Sequence, residues 1–190
     1  MSAVLSRVRH FKVPIRFFIY FVICISILIW PLAFMSIYTK DHSRVVASRW
    51  MYANIPAQSI ISYEYWDDPL PLTVQDPMSR NYVGKEIHIF DPDTTEKWKI
   101  IDEQLKKTNY YVMSSNRGWG SIQKVPSRYP VASQFYTDMF QNKRGFTLVG
   151  DFVSYPSLRY LGIPVDFPDQ WAEEAFTVYD HPQVLIFKRN

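Results

Sequence analysis

Cysteine is almost missing from this 190-residue chain: Cys24 stands alone, so no internal disulfide can form, and its apolar neighbours mark it as a small packing residue rather than a redox centre. Glycine is scarce at 6 residues while aromatics reach 17%, a balance that excludes a disordered or low-complexity linker. No phosphate-loop glycine pattern, no zinc-like Cys/His spacing, no G-x-S-x-G elbow and no N-x-S/T acceptor occurs. Those absences remove several large enzyme classes, and no metal or cofactor is expected. Acidic residues are missing from the first 39 positions, where Arg7, Arg9, Lys12 and Arg16 supply all the charge. Setting those four aside from the 21 basic residues leaves seventeen against 18 acidic ones, so the remainder is near −1. With Lys and Arg interleaved among Asp and Glu, that remainder is not a nucleic-acid-binding domain.

What the chain does have is an uncharged run of 23 residues, Phe17 to Thr39. Lipid offers the backbone no partners, so a span must be a helix. At about 1.5 Å per residue the run reaches roughly 34 Å, enough for one crossing of a hydrocarbon core about 30 Å thick. The basic flank before it and the mixed charges after it (Lys40, Asp41, Arg44, Arg49) place the N-terminus on the cytoplasmic side. A cleaved signal is the competing reading. It is disfavoured because the apolar stretch exceeds the usual signal core and no small-residue cleavage site follows before Lys40. Pro31 removes one backbone donor inside the span and predicts a kink there. The expected organisation is a cytoplasmic flank at 1–16, a single-pass cell-membrane helix at 17–39 and an extracytoplasmic domain at 41–190. That domain is long enough to bury one core.

Beyond the membrane, apolar periodicity switches between helical and extended segments. The run from Asp41 to Ile55 is partly helical, with Asp41 or Ser43 as cap, and Ser59–Tyr65 reads as a strand stopped by Pro69 and Pro71. Thr94 or Thr95 opens a helix over 96–108, followed by the strand YYVMSS; a helix over 130–141 is followed by the strand FTLVGDFV. AFTVYD and QVLIFKR, separated by His181-Pro182, predict a terminal antiparallel hairpin. The alternation predicts a small three-layer α/β domain with a mainly parallel sheet. YVGKEIHIF adds a further strand candidate of undecided direction.

Open parallel sheets bind ligands beyond the carboxyl ends of their strands. That rule selects Glu64, Trp66, Asp67 and Asp68 after the first strand, Ser115, Asn116 and Arg117 after the second, and Tyr155 after the third. Carboxylates, hydroxyls, a guanidinium and aromatic faces on one rim suit a sugar, which presents hydroxyls and apolar ring faces together, and Arg117 also suits a phosphate. The plainer readings are a turn opened by Asp67-Asp68-Pro69, an Arg117 paired with a nearby carboxylate, and His181 as a hairpin residue. No nucleophile, base and orienter can be assembled from spacing, and a hydrolase using Asp67 or Asp68 with His181 is the least supported option.

The stretches ASRWMYANIPAQSIISYEYWDDPLPL, YYVMSSNRGWGSI, RYPVASQFYTDMF, RGFTLVGDFVSYPSL and EEAFTVYDHPQVLIFKR carry a resemblance. Through them the chain resembles the C-terminal end of polytopic, GT-C class glycosyltransferases that use lipid-phosphate-linked sugars, the relatives of protein mannosyltransferases. That resemblance implies a last membrane span followed by an extracytoplasmic α/β domain, with glycosyl transfer as the context. Such enzymes hold their catalytic acid in the first extracytoplasmic loop of a multi-span core. No position here corresponds to it, so no catalytic residue is assigned. The expected role is an accessory, acceptor- or glycan-binding domain, whether a split gene product or a free-standing relative. Its expected partners are the bilayer, a multi-span glycosyltransferase core or lipid-linked sugar, and a glycan or protein acceptor, with no nucleic acid. The alternative is a non-catalytic module that docks onto a partner membrane protein.

Overall fold

The structure is a computed structural model that describes residues 13–74 and 80–190. Arg7, Arg9 and Lys12 of the basic flank lie outside the described residues, as do 75–79 in the stretch before YVGKEIHIF. The chain divides into two compact units: one is the N-terminal helix through Thr39 together with Tyr155–Pro168, the other is Lys40–Ser154 with Asp169–Asn190.

In the first unit, α1 (Val13–Met35) runs through Pro31 and continues into a 3₁₀ turn at Ser36–Thr39. Its apolar side chains are exposed all round, including Phe17, Phe18, Phe21, Ile27 and Leu28, and such a helix has no polar face to give to water. Among the described residues it is the one helix long and apolar enough to cross a membrane. An α-helix leaves its last four carbonyls without partners. Here Ser157 N–H donates to the Ala33 carbonyl at 3.0 Å, and the Tyr160 hydroxyl to that of Leu32 at 2.9 Å, so the 155–168 segment caps the helix end.

The second unit holds α2 (Ser43–Asn54), β1 (Ile60–Glu64), β2 (Val83–Ile87), α3 (Thr95–Lys107), β3 (Tyr110–Met113), α4 (Arg117–Ile122), α5 (Pro130–Phe140), β4 (Phe146–Phe152), α6 (Glu174–Thr177) and β5 (Val184–Arg189). The α3 start matches its sequence signal: the Thr94 side chain accepts from Lys97 N–H, and Lys106 and Lys107 oppose the helix dipole at the far end. His42, rather than Asp41 or Ser43, caps α2.

The sheet order is β2-β1-β3-β5-β4. Alternating side chains of the central strands feed two cores, which makes three layers. Tyr111, Met113, Leu185 and Phe187 pack with α3 and α5 on one face; Tyr110, Val112, Val184 and Ile186 pack with Ala47 and Met51 of α2 and with Ile55 just after it on the other.

The α/β class holds, and the mainly parallel sheet holds in part. β1 pairs parallel with β2 and β3, whereas β5 runs antiparallel between β3 and β4. The terminal hairpin is not formed. The four-residue apolar run VLIF of β5 is buried on both sides, which an edge position does not provide, so the strand inserts into the sheet interior. Its expected partner AFTVYD turns helical instead, because Thr177 and Glu174 are drawn to Asn116 and Arg117 at the end of β3.

Candidate functional site

The rim at the carboxyl ends of β1 and β3 starts from a buried carboxyl. Glu64 is the last residue of β1 and only 2% exposed, on the same face of the sheet as Tyr111. Its Oε1 accepts from the Tyr111 hydroxyl at 2.9 Å and from the Tyr136 hydroxyl at 2.8 Å, while its Oε2 has no partner among the described residues. Burial pushes the Glu64 carboxyl up to about 7, against the two tyrosine hydrogen bonds that favour the anion; nearby Asp67 adds a smaller push upward. Burial and the adjacent carboxyl hold both tyrosine hydroxyls well above their usual range. The site is closed by Gly118, where an added Cβ would lie 2.0 Å from Glu64 Oε2 and 2.3 Å from the Tyr136 hydroxyl.

Three residues on, the chain solves the same burial problem with a cation. Arg44, reaching from α2, binds Asp67 at 3.0 Å and Asp68 at 2.5 Å, and its Nε donates to the Ser114 carbonyl. Ser115 Oγ donates to the other Asp67 oxygen at 2.6 Å, and Ser114 Oγ to the Asp68 carbonyl at 2.6 Å. Arg117 bonds Glu174 at 2.8 Å and also donates to the Trp66 carbonyl, and the Tyr179 hydroxyl reaches it as well. Asn116 is buried, accepting from Thr177 Oγ1 at 3.3 Å and donating to the Ala172 carbonyl at 3.4 Å. Four chain segments are thereby tied into one polar network.

Trp66 stands apart from that economy. Asp67 N–H donates to the Glu64 carbonyl, closing a turn in which Trp66 takes the third position with φ at 76°, left-handed backbone where glycine or asparagine is the usual occupant. Its side chain is 64% exposed, with the Tyr65 ring 5.0 Å away and His88 stacked on Tyr65 at 4.5 Å. Trp171 and Tyr179, at 78% and 74% exposure, belong to the chain segment that carries Glu174. A strained backbone that displays a large apolar ring to solvent has no packing explanation, which is the pattern expected of a contact surface.

Seven of the eight expected rim residues, Glu64, Trp66, Asp67, Asp68, Ser115, Asn116 and Arg117, therefore belong to one network or its edge. Tyr155 falls in the other unit, with the segment that caps α1. The expected pairing of Arg117 with a carboxylate is realised through Glu174, while the plainer reading of Asp67 and Asp68 as a simple turn omits their cation, Arg44. His181 is not in a hairpin: it is buried, with Nε2 2.8 Å from Asp169 Oδ2 and its ring edge-on to Phe176. Asp67, Asp68 and His181 thus have separate partners, Arg44 and Asp169, and the structure assembles no acid-base pair from them. Spacing alone missed Arg44, Tyr111, Gly118 and Tyr136. One signal was present: Arg44 falls at helical spacing with Ala47, Ser48 and Met51, a cation on the buried stripe of α2.

Among the described residues, no group of three or more His, Cys, Asp and Glu side chains converges as a metal site. A cleft of about 640 Å³ lies elsewhere, along the exposed side of α3; Lys99, Asp102, Glu103 and Lys106 line it as interspersed, solvated charges. No family model, no curated protein and no solved structure matches this chain.

Proposed function

We propose that this chain is a membrane-tethered, extracytoplasmic carbohydrate-recognition module that works alongside a lipid-linked-sugar glycosyltransferase and is not itself the catalyst. α1 is the tether, with the N-terminus on the cytoplasmic side, as the charge asymmetry of the sequence favours. The rim takes the glycan, or the sugar head of the lipid-linked donor. The exposed indole of Trp66 offers a face to a pyranose ring, and the exposed Asp68 carboxylate two residues on, together with the Arg117–Glu174 pair that holds the Trp66 carbonyl, offers polar groups for sugar hydroxyls. The observation that carries this reading is Trp66 itself, held in a backbone conformation that disfavours it while its ring is left in solvent. The glycosyltransferase context rests on the sequence resemblance.

The test is titration of the full chain in nanodiscs with soluble manno-oligosaccharides and with polyprenyl-phosphate mannose, read by tryptophan fluorescence and NMR. Trp66→Gly is expected to weaken binding about tenfold, or about 1.4 kcal/mol. It should also raise stability by roughly 1 kcal/mol, because the left-handed backbone is relieved. A loss of binding with unchanged or improved stability separates recognition from folding. Absence of binding to either probe at millimolar concentration, or unchanged binding in Trp66→Gly, would overturn the proposal. Proteolysis of intact spheroplasts should remove most of the chain if the domain is extracytoplasmic.

A further inference from the structure

We infer that the hairpin from Leu158 to Val165 is a second membrane-contacting element, which dips into the headgroup and acyl boundary of the leaflet where α1 ends. The inference rests on α1 being a membrane span. Everything it uses lies in the unit formed by the helix and Tyr155–Pro168.

Depth comes first. The segment is fastened to the last turns of α1 and the 3₁₀ turn after it by four contacts: Ser157 N–H to the Ala33 carbonyl and to Ser36 Oγ, the Tyr160 hydroxyl to the Leu32 carbonyl, and Phe167 edge-on to Trp30 with ring centres 5.8 Å apart. Leu32 and Trp30 are inside the apolar run, so the hairpin is held level with helix turns that themselves sit at the membrane boundary. Tyr160, Leu161, Ile163 and Val165 are nevertheless 43%, 49%, 46% and 41% exposed, a contiguous apolar tip with no charged residue between 160 and 165.

Backbone chemistry points the same way, since a segment entering lipid has to satisfy its own polar groups. Leu158 N–H donates to the Val165 carbonyl, Leu161 and Ile163 N–H to that of Leu158, Gly162 N–H to that of Arg159, and Val165 N–H to that of Ile163. Arg159 N–H donates to Ser157 Oγ, and Pro164 has no N–H to satisfy. Gly162 supplies the left-handed turn at φ 79° that folds the tip back. The two charges of the hairpin, Arg159 and Asp166, cancel one another at its base in a bidentate pair of 2.6 and 2.8 Å contacts. Most of the hairpin's N–H groups are thus met within the chain, while the carbonyls of Tyr160, Leu161, Gly162 and Pro164 are left for water at the headgroup level, which fits an interfacial depth and not the hydrocarbon core. Two attachment points, helix and hairpin, would restrict how this unit rotates on the membrane surface.

The test places nitroxide labels at single cysteines in the full chain, on a Cys24→Ser background, in phosphatidylcholine–phosphatidylglycerol vesicles. The sites are Leu161→Cys and Ile163→Cys, with Ile27→Cys as a span reference and Lys143→Cys as an aqueous one. The oxygen-against-nickel depth parameter is expected to be positive at 161 and 163, shallower than at 27, and negative at 143. A negative value at 161 and 163 with a positive value at 27 would overturn the inference and leave the anchor intact. A negative value at 27 overturns both. Low access to both reagents at 161 and 163 indicates a covering protein instead of lipid, and would also overturn it.

Discussion

Glu64 and Asp67 are three residues apart, almost equally buried, and handled in opposite ways. The Glu64 carboxyl is surrounded by Tyr111, Tyr136 and the backbone of Gly118, has no cation, and is pushed up to about 7. The Asp67 carboxyl meets Arg44 and Ser115. Burial sets the size of the desolvation penalty for both, and the neighbour decides whether it is met by a proton or by a counter-ion. Between them lies the turn at Trp66, so the exposed indole sits between a carboxyl without a cation and an ion-paired one.

Removing the counter-ion should have the largest effect. Arg44→Met leaves the Asp67 carboxylate buried and unpaired and is expected to destabilise the domain by about 4 kcal/mol, measured by urea denaturation. Adding Asp67→Asn should recover a good part of that loss, since the stranded charge is removed; no recovery would mean that Arg44 acts through packing alone. Next comes the Glu64 pocket. Gly118→Ala drives a methyl group into Glu64 Oε2 and the Tyr136 hydroxyl and should cost about 3 kcal/mol, with Ser121→Ala on the same short helix as a nearly neutral control.

The sharpest effect is a pH dependence, no larger than the Gly118→Ala cost. The Glu64 carboxyl is raised in the folded state from an ordinary value of 4.5 to about 7. The unfolded chain therefore gives up its proton first, and stability attributable to this group is fully present below about pH 4.5 and lost as pH rises through 7. The loss should be about 3 kcal/mol across that window. Glu64→Gln accepts from the same two hydroxyls without titrating, so its stability should be flatter between pH 4.5 and 7 and no lower than wild type at pH 8. A wild-type profile that is already flat there would remove the contrast between the two carboxyls.

The rim was legible in outline because the carboxyl ends of parallel strands gather polar residues whatever the sequence detail, and Glu64 through Asp68 and Ser115 through Arg117 follow two such strands. What spacing could not give was partnership. Arg44 precedes Asp67 by 23 positions and Tyr136 follows Glu64 by 72, and contacts at such separations leave no periodic trace. The terminal hairpin failed for a related reason: AFTVYD alternates well enough for a strand, yet its Glu174 and Thr177 find partners on the β3–α4 connection only when folded as a helical turn.

By itself the sequence determined the apolar helix, the α/β class, the positions of β3 and β4, and the bounds of α3 and α5 to within a residue, because each depends on local periodicity, capping residues and chain-breaking glycine or proline. Tertiary structure alone decided the insertion of β5 between β3 and β4, the proton or cation that meets each buried carboxyl, and the capping of α1 by a hairpin more than a hundred residues away. Those outcomes depend on which groups must share a solvent-poor space, and that is settled only when distant segments compete for the same partners.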